Sequence, residues 1–381
     1  MYQGYFDDTH DMLRTSIRTF VEREIRPHVT AWEEAGDFPR ELYRKAAAAG
    51  ILGIGFPEEL GGSGGDAFHG LVLNEELVRC GSLGLVAGLF SLGIGLPPIL
   101  IAGSEEQKRR FIPPVLAGEK ISALAVTEPD AGSDVAGITT RALREGDHFV
   151  VNGAKTFITS GSRADVLTTA VRTGGPGAGG ISVLVIESGT PGFQVAGRIR
   201  TMGWSPSGTA ELLFSDCRVP AANLIGCENE GFKILMQNFV GERLFLAVEA
   251  AAAAQLALEE ALRYARERRA FGRALAGFQV TRHKLADMAT RVMAARELNY
   301  ALAARVRSGG AVTPAEAAMA KNFSCEVCDR VVYDAVQIHG GYGYAREYLV
   351  ERLYRDTRVL SIGGGTTEIM REIIADDLGL G

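Results

Sequence analysis

The chain has 381 residues, of which 46% are hydrophobic and 23% charged, with a formal net charge of -6. That length exceeds what one hydrophobic core supports and predicts two or three core-bearing units, with enough apolar content that no large part need stay disordered. The acidic balance excludes nucleic acid as a partner, because phosphate binding draws on clustered Lys and Arg in excess, while local basic sites for an anionic ligand stay open.

The start, Met1 to Asp8, carries neither a basic stretch followed by an apolar core nor an Arg-rich transit pattern, so nothing there marks export. From Asp7 to about Gly118 the apolar periodicity is helical, punctuated at Gly36-Asp37-Phe38-Pro39, at Gly61 to Gly65 and at Gly103. The longest apolar stretch, Leu83 to Ala102, is broken by Gly93, Gly95, Pro97 and Pro98, so no transmembrane segment is expected. Ser104-Glu105-Glu106-Gln107 has capping-box spacing and opens a helix expected to stop near Pro113-Pro114.

Between Ile121 and Asn229 short β-rich runs take over: Ile121 to Val126, His148 to Val151, Val166 to Val171 and Ile181 to Ile186, each bounded by turn formers. No crossover helix of sufficient length separates them, which predicts antiparallel pairing. After Gly231 helices return, around Phe232 to Arg268, Phe278 to Ser308 and Pro314 to Gln337, with a last helix after Gly365. Thr313-Pro314-Ala315-Glu316 supplies an N-cap Thr, a Pro at N1 and a Glu at N3. The expectation is an α+β multidomain chain: an N-terminal all-α domain at 1–119, a central antiparallel β domain at 120–230 and a C-terminal four-helix bundle at 231–381.

Five scattered cysteines fit a reducing compartment better than a disulfide scaffold, with the cytoplasm as the simplest address. Cys325 and Cys328 form a CxxC pair inside a helical run, with no second Cys or His pair at zinc-like spacing, so helix packing is expected and no metal.

Thr127-Glu128-Pro129-Asp130-Ala131-Gly132-Ser133-Asp134 directly follows the first strand and sets hydroxyls on both sides of a Pro-Asp-x-Gly turn. Such a turn exposes N–H groups suited to a heteroaromatic ring or a phosphate, and it is equally a plain tight turn. Lys155 to Gly161 puts an aromatic beside hydroxyls on the next extended segment, where stacking on a flat ligand and simple burial of Phe157 are both open.

With these segments in view, the sequence resembles the acyl-CoA dehydrogenase family along essentially its whole length. The strings AVTEPDAGSDV (125–135), NGAKTFITSG (152–161), ERRAFG (267–272), QIHGGYG (337–343) and GTTE (365–368) stand in that family's order and approximate spacing. There is no GxGxxG after a strand and no Walker lysine, so a flavin would be held by this fold and not by a Rossmann unit. The resemblance implies FAD, with Leu124, Ala125, Val126, Thr127, Gly132, Ser133, Phe157, Ile158 and Thr159 along the isoalloxazine and Thr159 near N5. It implies that Arg268, Phe271, Phe278 and Gln279 reach an FAD of the next subunit, as do Gln337, Gly340 and Gly341. Thr366 and Glu368 match positions near its phosphate and adenosine side. A homo-oligomer, a tetramer in that pattern, and an electron-transfer flavoprotein as acceptor are further implications.

The base is where the chain departs from the commonest family pattern. Many members carry a Glu directly before the Gly-Thr of the last motif, and here that place is Gly364. The α-hydrogen of a thioester is weakly acidic and still needs a carboxylate to take it as the β-hydride leaves. Isovaleryl-CoA and long-chain members are similar to this chain in having Gly there and a Glu-Arg pair near the start of the first bundle helix, which points to Glu242. An N-terminal helix Glu favoured by the macrodipole is the plainer reading of that residue. The thioester carbonyl is expected to accept from the Gly364 N–H and a ribityl hydroxyl, with desolvation raising the Glu242 pKa. Arg243, Gly364, Gly365 and Ser133 resemble substrate contacts. The activity implied is α,β-dehydrogenation of a fatty acyl-CoA to the trans-2-enoyl-CoA, an oxygen-using oxidase on the same fold being the alternative. Small residues in Ser91 to Pro97 are expected to widen the acyl pocket.

Overall fold

The computed structural model describes residues 4–380. Eight helices come first: α1 (Asp8–Phe20), α2 (Val29–Ala35), α3 (Glu41–Ala48), α4 (Ala67–Leu77), α5 (Leu83–Leu89), α6 (Leu92–Gly95), α7 (Pro97–Ala102) and α8 (Glu105–Leu116). Their apolar faces meet in a core that includes Ile17, Phe20, Leu42, Leu77, Leu89 and Phe111. Among the described residues no single helix is long and apolar enough to cross a membrane. The bent pair Leu83–Leu89 and Leu92–Ala102, turned by 49°, has the composition, but its Leu83, Leu89, Leu96 and Ile99 are buried within the protein.

The Ser104 capping box forms as expected. The helix it opens does not stop at Pro113-Pro114 but runs on to Leu116. The prolines deny N–H partners to the carbonyls of Arg109 and Arg110, both exposed so that water can serve, and the Ala117 N–H to Pro113 carbonyl bond of 2.9 Å resumes the ladder. Burial of Ile112, Val115 and Leu116 holds the extra turn.

The middle of the chain forms one sheet from β1 (Ser122–Ala125), β2 (Arg141–Glu145), β3 (His148–Ile158), β4 (Val166–Arg172), β5 (Ile181–Glu187), β6 (Phe193–Arg198), β7 (Ala210–Pro220) and β8 (Leu224–Ile225). Its order is β6-β7-β3-β2-β4-β5-β8, with β1 against β4. Most pairs are antiparallel as expected, but β1 pairs β4 in parallel, Ser122 opposite Val166, and β2 makes one parallel bridge to β4. The β2–β3 hairpin serves as the crossover between β1 and β4, which the expectation reserved for a helix. β3 is longer than the sequence suggests and carries Lys155 to Ile158 itself, with an irregularity between Lys155 and Ile158. The strands β2, β6, β7 and β8 were not among the four expected runs, although β7 alternates buried and exposed residues along its length.

The last part is helical: α9 (Gly231–Glu267), the small hairpin β9 (Arg269–Ala270) and β10 (Arg273–Ala274), α10 (Gln279–Arg307), α11 (Pro314–His339), α12 (Leu349–Thr357) and α13 (Thr367–Asp377). The helices α9, α10 and α11 pack on one another, α12 lies against α9 and α11, and α13 against α11. The helix α12 is an addition to the sequence reading. Its amphipathic run buries Val350 and Leu353. Cys325 and Cys328 are buried, unbridged packing residues of α11. A run of alanines on α9, including Ala250, Ala253, Ala254, Ala257 and Ala261, is buried and lets the neighbouring helices approach closely.

Candidate active site

Glu242 lies on α9, eleven residues in from Gly231. That is past the first turn, where the helix macrodipole acts, so the dipole does not account for a carboxylate here. One turn earlier, Asn238 Nδ2 donates to the Ile94 carbonyl at 3.2 Å and ties α9 to α6. Opposite Glu242 stands the turn that leads into α13. Gly364 and Gly365 there have φ of +66° and +100°, conformations that favour glycine.

A Cβ placed on Gly364 would lie 2.7 Å from Leu246 Cδ1, 3.5 Å from Glu242 Oε1 and 3.6 Å from Lys321 Cε. The carboxylate of Glu242 therefore reaches the space from which a side chain at 364 would start. Arg243 Nε donates to the Gly364 carbonyl at 3.2 Å, and Lys321 Nζ to the Gly365 carbonyl at 2.8 Å. Glu242 Oε2 is enclosed and has no hydrogen-bond partner among the described residues. Burial pushes the Glu242 carboxyl up to about 7, against the opposing pull of the Arg243 and Lys321 charges. The arrangement is a half-buried glutamate with one enclosed carboxyl oxygen, poised to exchange a proton near neutrality beside a backbone turn held by two cations.

The sequence motifs on the sheet come together as well. Leu124, Ala125 and Val126 are buried and Thr127 half-buried, while Gly132 and Ser133 are exposed on the following turn. Thr156 donates its N–H to the Thr127 carbonyl at 2.9 Å. Beneath them is a contact that the sequence reading missed: Lys155 Nζ is 2.7 Å from Glu128 Oε1 and 2.8 Å from the Val126 carbonyl. Glu128 also accepts from the N–H groups of Thr139 and Thr140. Glu and Lys both stand in the motif strings, yet only the strand pairing reveals that they meet as a buried pair joining the two segments.

Phe157, by contrast, is 62% exposed and has φ of +57°. A bulky residue in the left-handed region costs on the order of 1–2 kcal/mol, and here no burial repays it within the chain. Ile158 beside it is buried and Thr159 half-buried. An open aromatic face flanked by a hydroxyl suits a flat heteroaromatic ring.

Thr366 caps α13, its Oγ1 accepting from the Ile369 N–H at 3.4 Å, with Glu368 exposed in the first turn. Both adjoin the Glu242 cluster through Gly365. The remaining predicted residues do not. Arg268 follows the far end of α9, 26 positions from Glu242, which is roughly 39 Å at the helical rise. Around it lie Phe271, 95% exposed, Phe278 with Arg273 stacked 4.0 Å above its ring, and exposed Gln279. Gln337, Gly340 and Gly341 end α11 at the same place, where Arg268 faces the Tyr342 ring at 5.6 Å. One chain thus carries two separate groups of predicted cofactor contacts.

Gly95 does not open the acyl pocket as expected, since a Cβ there would lie 2.2 Å from Ser122 Oγ. Gly93 does face open space. His10, Asp66 and His69 also gather their polar atoms. They form two capping boxes, at the starts of α1 and α4, joined by the 3.0 Å contact of His10 Nε2 with Asp66 Oδ1.

Three family models match the chain in order: the acyl-CoA dehydrogenase N-terminal domain at 7–119, the middle domain at 123–217 and the C-terminal domain at 229–379. The long-chain specific acyl-CoA dehydrogenase of Sus scrofa is 40% identical over 98% of this chain and 87% of its own length. A crystal structure of a probable acyl CoA dehydrogenase from Mycobacterium abscessus superposes with TM-score 0.96 at 54% identity, covering 99% of this chain and 100% of that one. An acyl-CoA dehydrogenase from Bacillus anthracis, solved in complex with FAD, superposes with TM-score 0.92 at 32% identity over 98% of this chain and 67% of that one.

Proposed function

The chain belongs to the acyl-CoA dehydrogenase family, FAD-dependent oxidoreductases acting on CH–CH bonds, and we propose that Glu242 is the base that takes the α-proton of a fatty acyl-CoA. The observation that carries this reading is the Glu242 carboxyl, whose Oε2 is enclosed and unpartnered and whose Oε1 lies 3.5 Å from the Cβ position of Gly364, the place where the commoner family pattern has its carboxylate. The open, strained Phe157 beside Thr159 fits the isoalloxazine that the family binds. Bound FAD supplies the hydride acceptor at its N5.

The chain's own residues supply the rest. The Gly364 N–H has no protein acceptor among the described residues and is free to donate to the thioester carbonyl. That bond stabilises the enolate-like charge and so acidifies the α-carbon. The Cα–H proton passes to Glu242, the β-hydrogen leaves with its electron pair, and the freed pair forms the double bond of the trans-2-enoyl-CoA. A base with a pKa near 7 is matched to this task at neutral pH, since enough of it is ionised and its proton affinity is still substantial. Arg243 holds the Gly364 carbonyl and thereby restrains the backbone of the residue whose N–H makes that bond. Ser133, Gly364 and Gly365 are the further substrate contacts in this reading. In this reading the acyl chain lies on the side of α6 where Gly93 faces open space, next to the Asn238–Ile94 contact one turn before Glu242.

The distance between the two cofactor groups supports a homo-oligomer. An FAD whose ring lies near Glu242 does not span roughly 39 Å to the Arg268 of the same chain, so Arg268, Phe271, Phe278, Gln279, Gln337, Gly340 and Gly341 serve the FAD of a neighbour, in a tetramer of paired dimers. The same reading takes 1–119, 120–230 and 231–381 as the three domains, an electron-transfer flavoprotein as acceptor and the breakdown of fatty acids as the setting. Five unbridged cysteines fit a cytoplasmic address. Anaerobic mixing with a panel of acyl-CoA thioesters, scored by flavin bleaching, tests the activity and reads the chain length. A dye acceptor without oxygen, set against peroxide formation in air, separates a dehydrogenase from an oxidase.

A further inference from the structure

Lys321 enters neither the sequence motifs nor the proposed chemistry, and its surroundings are unusual for a lysine. It sits on α11, only 1% exposed. A fully buried ammonium is costly and is normally paired with a carboxylate. Here its acceptor is the Gly365 carbonyl at 2.8 Å, while Glu242 Oε2 nearby has no partner. The Lys321 Cε and Glu242 Oε1 flank a single point, the Cβ position of Gly364, at 3.6 and 3.5 Å. Arg243 Nε takes the preceding carbonyl, that of Gly364. Two cations from two helices therefore hold consecutive carbonyls of the turn whose N–H faces the substrate.

We propose that Lys321 is a positioning residue for proton abstraction, a buried ammonium that pins the Gly364–Gly365 turn and supplies positive charge to the Glu242 pocket. The charged or titratable groups facing Lys321 are Glu242 and Arg243 from α9 and Cys325 from its own helix. The Cys325 thiol is pushed up to about 12 by burial and stays neutral, which leaves the two cations and the one carboxylate to set the local field. When Lys321 loses its charge, desolvation of Glu242 is opposed by Arg243 alone, so the base ionises at higher pH. The hydrogen bond to Gly365 acts separately, through the orientation of the turn. This inference rests on Glu242 being the base.

The test uses FAD-loaded enzyme and follows anaerobic flavin reduction by a saturating acyl-CoA across about pH 5 to 9, roughly two units either side of neutrality. Lys321→Gln keeps a donor for the Gly365 carbonyl and removes the charge; Lys321→Met removes both. The midpoint of the rate profile is expected to rise by about one pH unit in both variants, with the high-pH plateau kept in Gln and lowered several-fold in Met. If the Met variant does not accumulate, the Gln variant decides alone. A midpoint unchanged in the Gln variant overturns the inference. Glu242→Gln measured alongside keeps the outcomes apart: if it reduces flavin at the parental rate the base assignment fails, and if it is inactive while Lys321→Gln leaves the profile unmoved, only the role of Lys321 fails.

Discussion

Replacing Glu242 by Gln keeps the side chain's size and removes its basicity. The exchange strands no partner, because Oε2 makes no hydrogen bond in the parent. Loss of a positioned general base costs about 10²- to 10⁴-fold in rate, or roughly 3–5 kcal/mol of transition-state free energy. Stability should move the other way. The folded-state pKa of Glu242 is raised to about 7, so the parent's stability is full below the unfolded value and falls as pH rises through 7. Gln lacks that penalty, and the variant should match the parent at pH 4 and exceed it at pH 8 by at most about 3 kcal/mol. Stopped-flow reduction without oxygen reads the chemistry. Thermal unfolding of the FAD-loaded protein at the two pH values reads the fold. Flavin reduction within a few-fold of the parent would refute the assignment of the base, and a large loss of stability at pH 8 would refute the account of its burial.

A side chain on the Gly364 turn must displace Leu246 and hold a left-handed backbone, so Gly364→Ala should cost about 2 kcal/mol in denaturant unfolding and slow flavin reduction, given its φ of +66° and the 2.7 Å approach to Leu246. By the same geometry, Glu242→Gly combined with Gly364→Glu should regain rate only when Leu246 is also shortened, and recovery with Leu246 intact would contradict the packing argument. Glu249, also on α9, has an enclosed Oε1 without a partner, and burial with the nearby Asp356 charge pushes its carboxyl up to about 8. Its contribution to stability is full at low pH and is lost as pH rises through 8, so Glu249→Gln should flatten the pH dependence of thermal unfolding, with a ceiling on the order of 5 kcal/mol at pH 9. Arg268→Ala should weaken FAD retention without changing the pH midpoint of flavin reduction, and light scattering should find an oligomer. A monomer that keeps its FAD tightly would sink the shared-site reading.

Much of the architecture was legible because it depends on local chemistry. The Ser104 and Thr313 capping boxes appear where Ser-x-x-Gln and Thr-x-x-Glu stand in the chain. The long helices α9, α10 and α11 begin and end within two residues of the expected runs. Where local rules failed, packing had overridden them. Burial of Val115 and Leu116 carried α8 past two prolines. A hairpin did the work of a crossover helix and made β1 and β4 parallel.

The sequence by itself determined which residues are chemically able to act: a Glu-Arg pair at 242–243, a glycine where a carboxylate is common, an aromatic beside a hydroxyl at Phe157 and Thr159. Spacing along one chain carries that information because each motif is short and self-contained. Only the tertiary structure decided what those groups experience. The Glu128–Lys155 pair joins residues 27 apart, and Lys321 meets a carbonyl 44 positions away. Both depend on which strands and helices become neighbours. The elevated pKa of Glu242 likewise comes from enclosure by α9, α11 and the Gly364 turn, and desolvation belongs to a folded surface and not to a string of residues.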